Sequence, residues 1–295
     1  MKILFVVNEL NFFMRNHLNL AKSISMHHEV ELIADVSKSN EENIYKLKQA
    51  GINLHILNRN TNINKGMSYF SFIFYLLKLI RKNKPDYVFY ITLELSFFGS
   101  LISYFLSTKK SIFIITGLGP FFFKNDLKYK IFNKLQQYSF LFLSKVKRNF
   151  YFVFLNSVDM ELLCRQYKLK RLHCKLIHGE GIDKLEFRYI ERERDVPKFL
   201  LASRLVQSKG IEDYMACAKK IKQHYSHAQF AIAGIFDPNN PESIAKELFE
   251  ELKNSEDISF LGEISHNHME ECFHGNNIFV LPSEREGLPK AAVEA

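Results

Sequence analysis

Strand-like and helix-like segments alternate along the whole chain, and this alternation narrows the fold more than any other feature of the sequence. Apolar runs suited to buried strands occur at Lys2–Val7, Glu29–Ala34, Ile52–Leu57, Tyr87–Ile91, Ser111–Ile115, Tyr151–Leu155 and His173–Ile177. Between them lie stretches with helical periodicity: Phe13–Met26, Glu41–Ala50, Met67–Lys82, Leu95–Leu106, Leu127–Val146 and Ser157–Tyr167. Strands that alternate with helices predict parallel sheets covered by helices on both faces. Ligands of such sheets gather at the carboxyl ends of the strands.

The rhythm breaks at Gly179-Glu-Gly-Ile-Asp183, where two glycines favour a turn. Lys184 to Lys198 is then mostly charged and polar, with Pro197 near its end. A domain boundary is expected here, with one domain over residues 1–185 and a second over 186–295. The second repeats the pattern, with strands at Phe199–Leu201, Gln229–Ala233, Ile258–Leu261 and Asn277–Leu281. Its helices are expected at Gly210–Tyr225, Ser243–Leu252 and Met269–Phe273.

A chain of 295 residues with 47% hydrophobic residues suffices for two such cores. Residues 1–150 hold 21 Lys/Arg against 9 Asp/Glu, a net of +12, and 18 of the 28 phenylalanines. Residues 151–295 hold 19 against 23, a net of −4. A basic, Phe-rich half suits either an anionic membrane surface or a phosphorylated acceptor. It equally suits a soluble domain with aromatic core residues and a solvated basic face. The longest apolar segments, Met67–Ile80 and Leu93–Leu106, fall short of the roughly 20 residues that cross a bilayer. Met1-Lys2 leads straight into a strand, without the pattern of a signal peptide. Cys164, Cys174, Cys217 and Cys272 have no paired spacing and read as reduced, buried thiols. The chain is therefore expected to be cytoplasmic, with peripheral contact to the inner membrane.

Several classes fall away. No Gly-x-x-x-x-Gly-Lys-Ser/Thr loop is present, which argues against a P-loop NTPase. The lysines are scattered and no nucleic-acid module is recognisable, so no nucleic-acid partner is expected. His266, His268, Cys272 and His274 would form a metal site only if all four pointed inward; no metal is expected.

Two stretches carry residues suited to chemistry. Ala202-Ser-Arg-Leu-Val-Gln-Ser-Lys-Gly210 follows a strand and opens a helix, placing Arg204 and Lys209 in a loop near a helix N-terminus. A guanidinium fork and a mobile ammonium there can hold phosphate oxygens. They also read as two solvated surface cations. Leu281-Pro-Ser-Glu-Arg-Glu-Gly-Leu-Pro-Lys-Ala-Ala-Val-Glu-Ala295 follows the last strand. Glu286 lies in its turn and Glu294 eight residues on, about two helical turns along one face. Glu286 is either an ordinary first-turn carboxylate or one aimed at a polar or cationic ligand. Gly234, after the strand Gln229–Ala233, would allow close approach to a base or phosphate.

Together these stretches resemble the Arg-x4-Lys-Gly and Glu-x7-Glu motifs of the retaining glycosyltransferases of family 4. The Pro-Ser-x-x-Glu-Gly-Leu-Pro variant is similar to members that build bacterial surface polysaccharides and lipid-linked oligosaccharides. Thr116-Gly-Leu-Gly-Pro120 resembles a segment of that subgroup near the sugar and acceptor, and Gly179–Asp183 resembles its domain junction. The resemblance implies a GT-B architecture: two Rossmann-like parallel-sheet domains with an interdomain cleft, the second incomplete here. It implies transfer from a nucleotide sugar, a UDP-hexose or UDP-N-acetylhexosamine, to a polysaccharide or polyprenyl-diphosphate-linked acceptor, without a metal or other cofactor. Arg204 and Lys209 would hold the diphosphate, Glu286 the donor sugar and Glu294 the ribose. Gly234, Gly287, Leu288 and Gly117 would line the donor site. Two departures stand out. Thr116-Gly117 replaces the usual His-Gly, and Asn8-Glu-Leu-Asn11 replaces the usual Gly-Gly turn after the first strand. The family's chains run on beyond the signature helix, so a truncated chain is expected. The alternatives are an inactive remnant, a nucleotide-sugar binding module, or a sugar-nucleotide epimerase of the same architecture.

Overall fold

The computed structural model describes residues 1–37, 39–57, 65–106, 108–119, 122, 126–146, 149–179, 181–182, 187–191, 196–284, 286 and 289–295, with side chains from residue 72 onward in the helix Lys65–Asn83. They form two compact units, Met1–Glu180 and Gly181–Ala295. Gly179 and Gly181, on either side of that division, both have φ +73°.

The first unit is built on a seven-stranded sheet. Its strands are β1 (Lys2–Glu9), β2 (Glu29–Asp35), β3 (Ile52–Ile56), β4 (Tyr87–Ile91), β5 (Lys110–Ile115), β6 (Phe150–Phe154) and β7 (Cys174–Leu176). The order across the sheet is β3-β2-β1-β4-β5-β6-β7, with every pairing parallel. Successive side chains of a strand point to opposite faces. Leu4 and Val6 therefore enter one core, with Val88, Tyr90, Phe113, Phe152 and Phe154, beneath the helices Lys65–Asn83, Leu93–Ser103, Leu127–Val146 and Ser157–Tyr167. Ile3, Phe5 and Val7 enter the other, with Val30, Leu32, Leu10 and Leu47, beneath Leu10–Asn16, Leu18–Ser25 and Glu41–Gln49. Tyr90 stacks on Phe113 with ring centroids 5.4 Å apart, and the bare backbone of Gly99 leaves room for the Tyr90 ring.

The second unit holds β8 (Lys198–Ala202), β9 (Gln229–Ala233), β10 (Ser259–Gly262) and β11 (Ile278–Phe279), in the parallel order β10-β9-β8-β11. Leu201, Phe230 and Ile232 pack against Ile211, Tyr214 and Ala218 of the helix Ile211–His224 on one face. Leu200, Ala231 and Ala233 pack with Phe273 on the other.

The expected α/β class with parallel sheets stands. Three local expectations are corrected. The first helix is two helices, Leu10–Asn16 and Leu18–Ser25, broken at His17, whose φ of −124° and ψ of −4° are not helical. The break brings Leu10, Phe13 and Ala21 into one core. The last strand pairs only over Ile278–Phe279. Of the four cysteines expected to be buried only Cys174 is; Cys164 and Cys272 are half-buried, and Cys217 is exposed because it lies on the outer side of the helix Ile211–His224. Cys164 and Cys174 are neighbours, with sulfurs 3.3 Å apart, since the helix Ser157–Tyr167 lies over β6 and β7. Burial raises the Cys174 thiol pKa, and the adjacent Cys164 raises it further. No helix among the described residues is long and apolar enough to cross a membrane.

Candidate functional site

In the second unit the chain leaves β8 and adds strands β9 and β10 on one side, then returns to place β11 on the other. The gap between the ends of β8 and β11 is where the strand order reverses, which is the usual ligand position of an open parallel sheet. Both chemistry-bearing stretches emerge there. After β8 the backbone continues as Ser203–Val206 and a single tight turn, Gln207–Lys209. Leu205 and Val206 are buried and anchor this loop, while Arg204 between Ser203 and Leu205 is exposed. Backbone bonds fix the loop at three points: Ser203 N donates to Ala233 O (3.0 Å), Leu205 N to Ile235 O (3.0 Å) and Gln207 N to Glu242 O (2.9 Å).

Gly210 ends the turn at φ +68° and caps the helix Ile211–His224. A side-chain carbon at Gly210 would lie 2.3 Å from the Pro282 carbonyl oxygen, so only glycine lets the strand-β11 loop close over this helix start. Glu284 N donates to Ser208 O at 3.0 Å across the same gap. The two loops are thus zipped together by backbone before any side chain is considered. Their side chains complete the join: the Lys209 ammonium donates to the Glu286 carboxylate. About four-fifths of each side chain is covered, the pair showing 20% and 23% exposure.

Gly234 closes the third side, following β9. A side-chain carbon there would fall 1.9 Å from the Ser203 carbonyl oxygen, and Gly234 N donates to Gly262 O at 2.8 Å. The glycine therefore serves backbone-to-backbone packing against the Arg204 loop.

Of the residues singled out from sequence, the structure joins Lys209 and Glu286 directly and sets Arg204 and Gly234 on the adjoining backbone. Glu294 takes a different partner. It lies in the short helix Lys290–Glu294, accepts from Lys290 Nζ at 3.4 Å, and has a side chain 8% exposed. It also borders a cavity of about 190 Å³ lined by Arg188, Tyr189, Glu270 and His274. Gly287 and Leu288 lie outside the described residues. Gly117 belongs to the first unit, just past β5. No cluster of three or more metal-ligating side chains occurs among the described residues. His268 pairs with Ser265 (2.8 Å) and His274 with the Arg188 carbonyl (2.9 Å).

The sequence reading missed a polar group at the matching place in the first unit. There the strand order reverses between β1 and β4. Asn8 Nδ2 donates to Glu94 Oε2 at 3.2 Å and lies 3.5 Å from Thr92 Oγ1. Thr92 adopts φ +96°, a region that a β-branched residue enters only at a cost of about 1–3 kcal/mol. Its hydroxyl in turn accepts from Leu95 N at 3.3 Å and starts the helix Leu93–Ser103. The rule that ligands sit where strand order reverses points to this group only once the first and fourth strands are known to be neighbours.

Comparison with known proteins adds an independent line. Residues 2–153 match the family described as glycosyl transferase 4-like, and residues 183–295 match glycosyl transferases group 1. A curated relative is the N,N'-diacetylbacillosaminyl-diphospho-undecaprenol alpha-1,3-N-acetylgalactosaminyltransferase of Campylobacter jejuni subsp. jejuni serotype O:2. It is 25% identical over 269 residues, covering 85% of this chain and 64% of the relative. The chain thus spans just under two thirds of that relative's length. Among solved structures, sucrose-phosphate synthase from Thermosynechococcus elongatus superposes with a TM-score of 0.72 at 14% identity, over 100% of this chain and 78% of the other. A glycosyltransferase from Rickettsia africae ESF-5 gives 0.68 at 17% identity, over 96% and 73%. Anabaena Alr3699/HepE, solved with UDP and glucose, gives 0.65 at 13% identity, over 97% and 75%. At these identities the likeness is one of fold.

Proposed function

Because the chain belongs to the glycosyl transferase 4-like family, we propose that it transfers a sugar from a nucleotide sugar to a glycan acceptor, with retention of anomeric configuration. The observation that carries the reading is the Lys209–Glu286 pair, which unites the two motif loops where the second sheet reverses its strand order. Sugar transfer releases a nucleoside diphosphate, whose growing negative charge must be met by fixed cations, dipoles or a metal. Arg204 and Lys209 are cations that the described residues bring to this place, and the start of the helix Ile211–His224 adds its dipole. The proposed reaction accordingly needs no metal. In the resting site Glu286 neutralises Lys209. An incoming diphosphate would share the Lys209 ammonium. Glu286 would then stand beside the donor sugar, where a carboxylate favours oxocarbenium-like charge.

The donor proposed is a UDP-hexose or UDP-N-acetylhexosamine. The acceptor proposed is a polyprenyl-diphosphate-linked glycan or a growing polysaccharide. Support for that acceptor class comes from the name of the Campylobacter relative, which describes a diphospho-undecaprenol substrate. Such an acceptor is anchored in lipid, so the reading requires that the protein work at a membrane surface. Asn8, Thr92 and Glu94, at the corresponding position of the first sheet, are proposed to meet acceptor hydroxyls.

The test is turnover of UDP-sugars by the full chain with a polyprenyl-diphosphate acceptor. Arg204→Ala and Lys209→Ala should each lower kcat/KM by about 10- to 100-fold, the loss expected for hydrogen bonds between charged groups. Unchanged turnover in both rejects the assignment. Conversion of the donor with no acceptor present would instead establish an epimerase, and calorimetric binding without turnover a binding module.

A further inference from the structure

The helix Leu127–Val146 is apolar on two sides. One side is buried in the first unit's core through Phe140 and Leu143, with Gln136 and Ser139 also buried. The other side presents Leu127, Ile131, Leu135, Tyr138, Phe142 and Val146, which are 49% to 75% exposed. Their spacing of four, four, three, four and four residues keeps all six on one stripe of a 3.6-residue helix. A helix of 20 residues makes this stripe about 30 Å long. The patch widens at one end, where Tyr104 meets Phe142 with centroids 5.3 Å apart and Phe105, 60% exposed, packs against Tyr104. An apolar strip of this length on a water-facing surface marks an interaction site rather than scatter.

The charges around the stripe identify what covers it. Lys128, Lys130, Lys134 and Lys145 are exposed on the same helix, and no Asp or Glu occurs from Leu127 to Val146. At 100° per residue, Lys130 and Lys134 fall along one border of the stripe and Lys128 along the other. Long lysine stems can lie along apolar material while their ammonium groups stay in water. An exposed apolar face on a helix whose charged residues are all lysines complements a leaflet of anionic lipid. A second copy of the chain would bring the same positive borders against each other.

We propose that the exposed face of Leu127–Val146, with Tyr104 and Phe105, seats the protein on an anionic membrane surface, the apolar stripe entering the interface and the lysines meeting lipid phosphates. The proposal deepens the sugar-transfer reading, which calls for a membrane surface, by naming the face that meets it; vesicle binding tests it without any turnover, so either can fail alone.

The experiment is co-sedimentation of the full chain with vesicles of phosphatidylcholine alone or mixed with phosphatidylglycerol. Binding is expected to the mixed vesicles and to weaken with salt. The double variant Ile131→Ser/Phe142→Ser should lower partition at least tenfold while its melting curve stays unchanged, since both side chains face outward. Lys130→Gln and Lys134→Gln should each lower partition by about fivefold on anionic vesicles only. No binding to mixed vesicles, equal binding to neutral ones, or full binding by the double variant overturns the proposal. So does a dimer in sedimentation velocity that the double variant converts to monomer, which would assign the stripe to self-association.

Discussion

At the scale of single residues, the glycines separate space from conformation. Gly234 has no room, because an added carbon would lie 1.9 Å from the Ser203 carbonyl oxygen. Gly51 has nothing within 4 Å but holds φ +68°. Gly51→Ala should therefore cost only about 1 kcal/mol, from left-handed backbone alone. Gly234→Ala should cost about 3 kcal/mol or more, since a backbone must shift to relieve the overlap. Urea midpoints of the two variants check this. Equal midpoints would mean that the Ser203 loop yields freely, and that the cradle beside Arg204 is soft. The same contrast explains why Gly234 carried more information in the sequence than a turn glycine does: it sits where two carboxyl-end loops touch.

Among elements, the helix Leu127–Val146 is held at its centre by one buried amide. Gln136 donates to the Leu93 carbonyl at 3.0 Å and accepts from the Tyr167 hydroxyl at 2.8 Å. It thereby ties the start of the helix Leu93–Ser103 to the end of the helix Ser157–Tyr167. Desolvation raises the pKa of Tyr167, so its hydroxyl remains a donor at ordinary pH. Gln136→Leu keeps the volume but strands both partners, and should lower stability by about 2–6 kcal/mol at 1–3 kcal/mol per stranded group. A urea titration reads the loss. This helix and Ser157–Tyr167 were legible from the sequence through their periodicity, and the start of the second coincides with a cap, Asn156, which accepts from Asp159 N at 2.7 Å. The double-sided nature of Leu127–Val146 was not legible. A stripe facing solvent and a stripe facing the core have the same composition, and only packing tells Ile131 from Leu143. Likewise Arg204, Lys209 and Glu286 could be chosen from spacing, whereas the polar group of Asn8, Thr92 and Glu94 depends on which strands are neighbours. Strand order is a long-range property that local patterns do not encode.

For the whole molecule, the division into two units has a thermodynamic consequence. The cores formed around Leu4 and around Phe5 lie in Met1–Glu180, while those around Leu201 and around Leu200 lie in Gly181–Ala295. Cooperative unfolding follows shared cores. Calorimetry should therefore resolve two transitions, and UDP-sugar should raise the one assigned to the second unit. A single transition, shifted as a whole by donor, would show that the units melt as one body. Charge is divided as unevenly as the cores are. The first 150 residues carry a net of +12 and the remainder −4, so the molecule has a permanent electric moment. Near a negatively charged sheet such a moment is turned as well as pulled, and the basic part of the chain turns toward it before any lipid is touched. At an ionic strength where the field reaches only about 8 Å, that turning is confined to the final approach. Salt would then act chiefly on how fast the protein lands correctly, and less on how long the apolar stripe keeps it there.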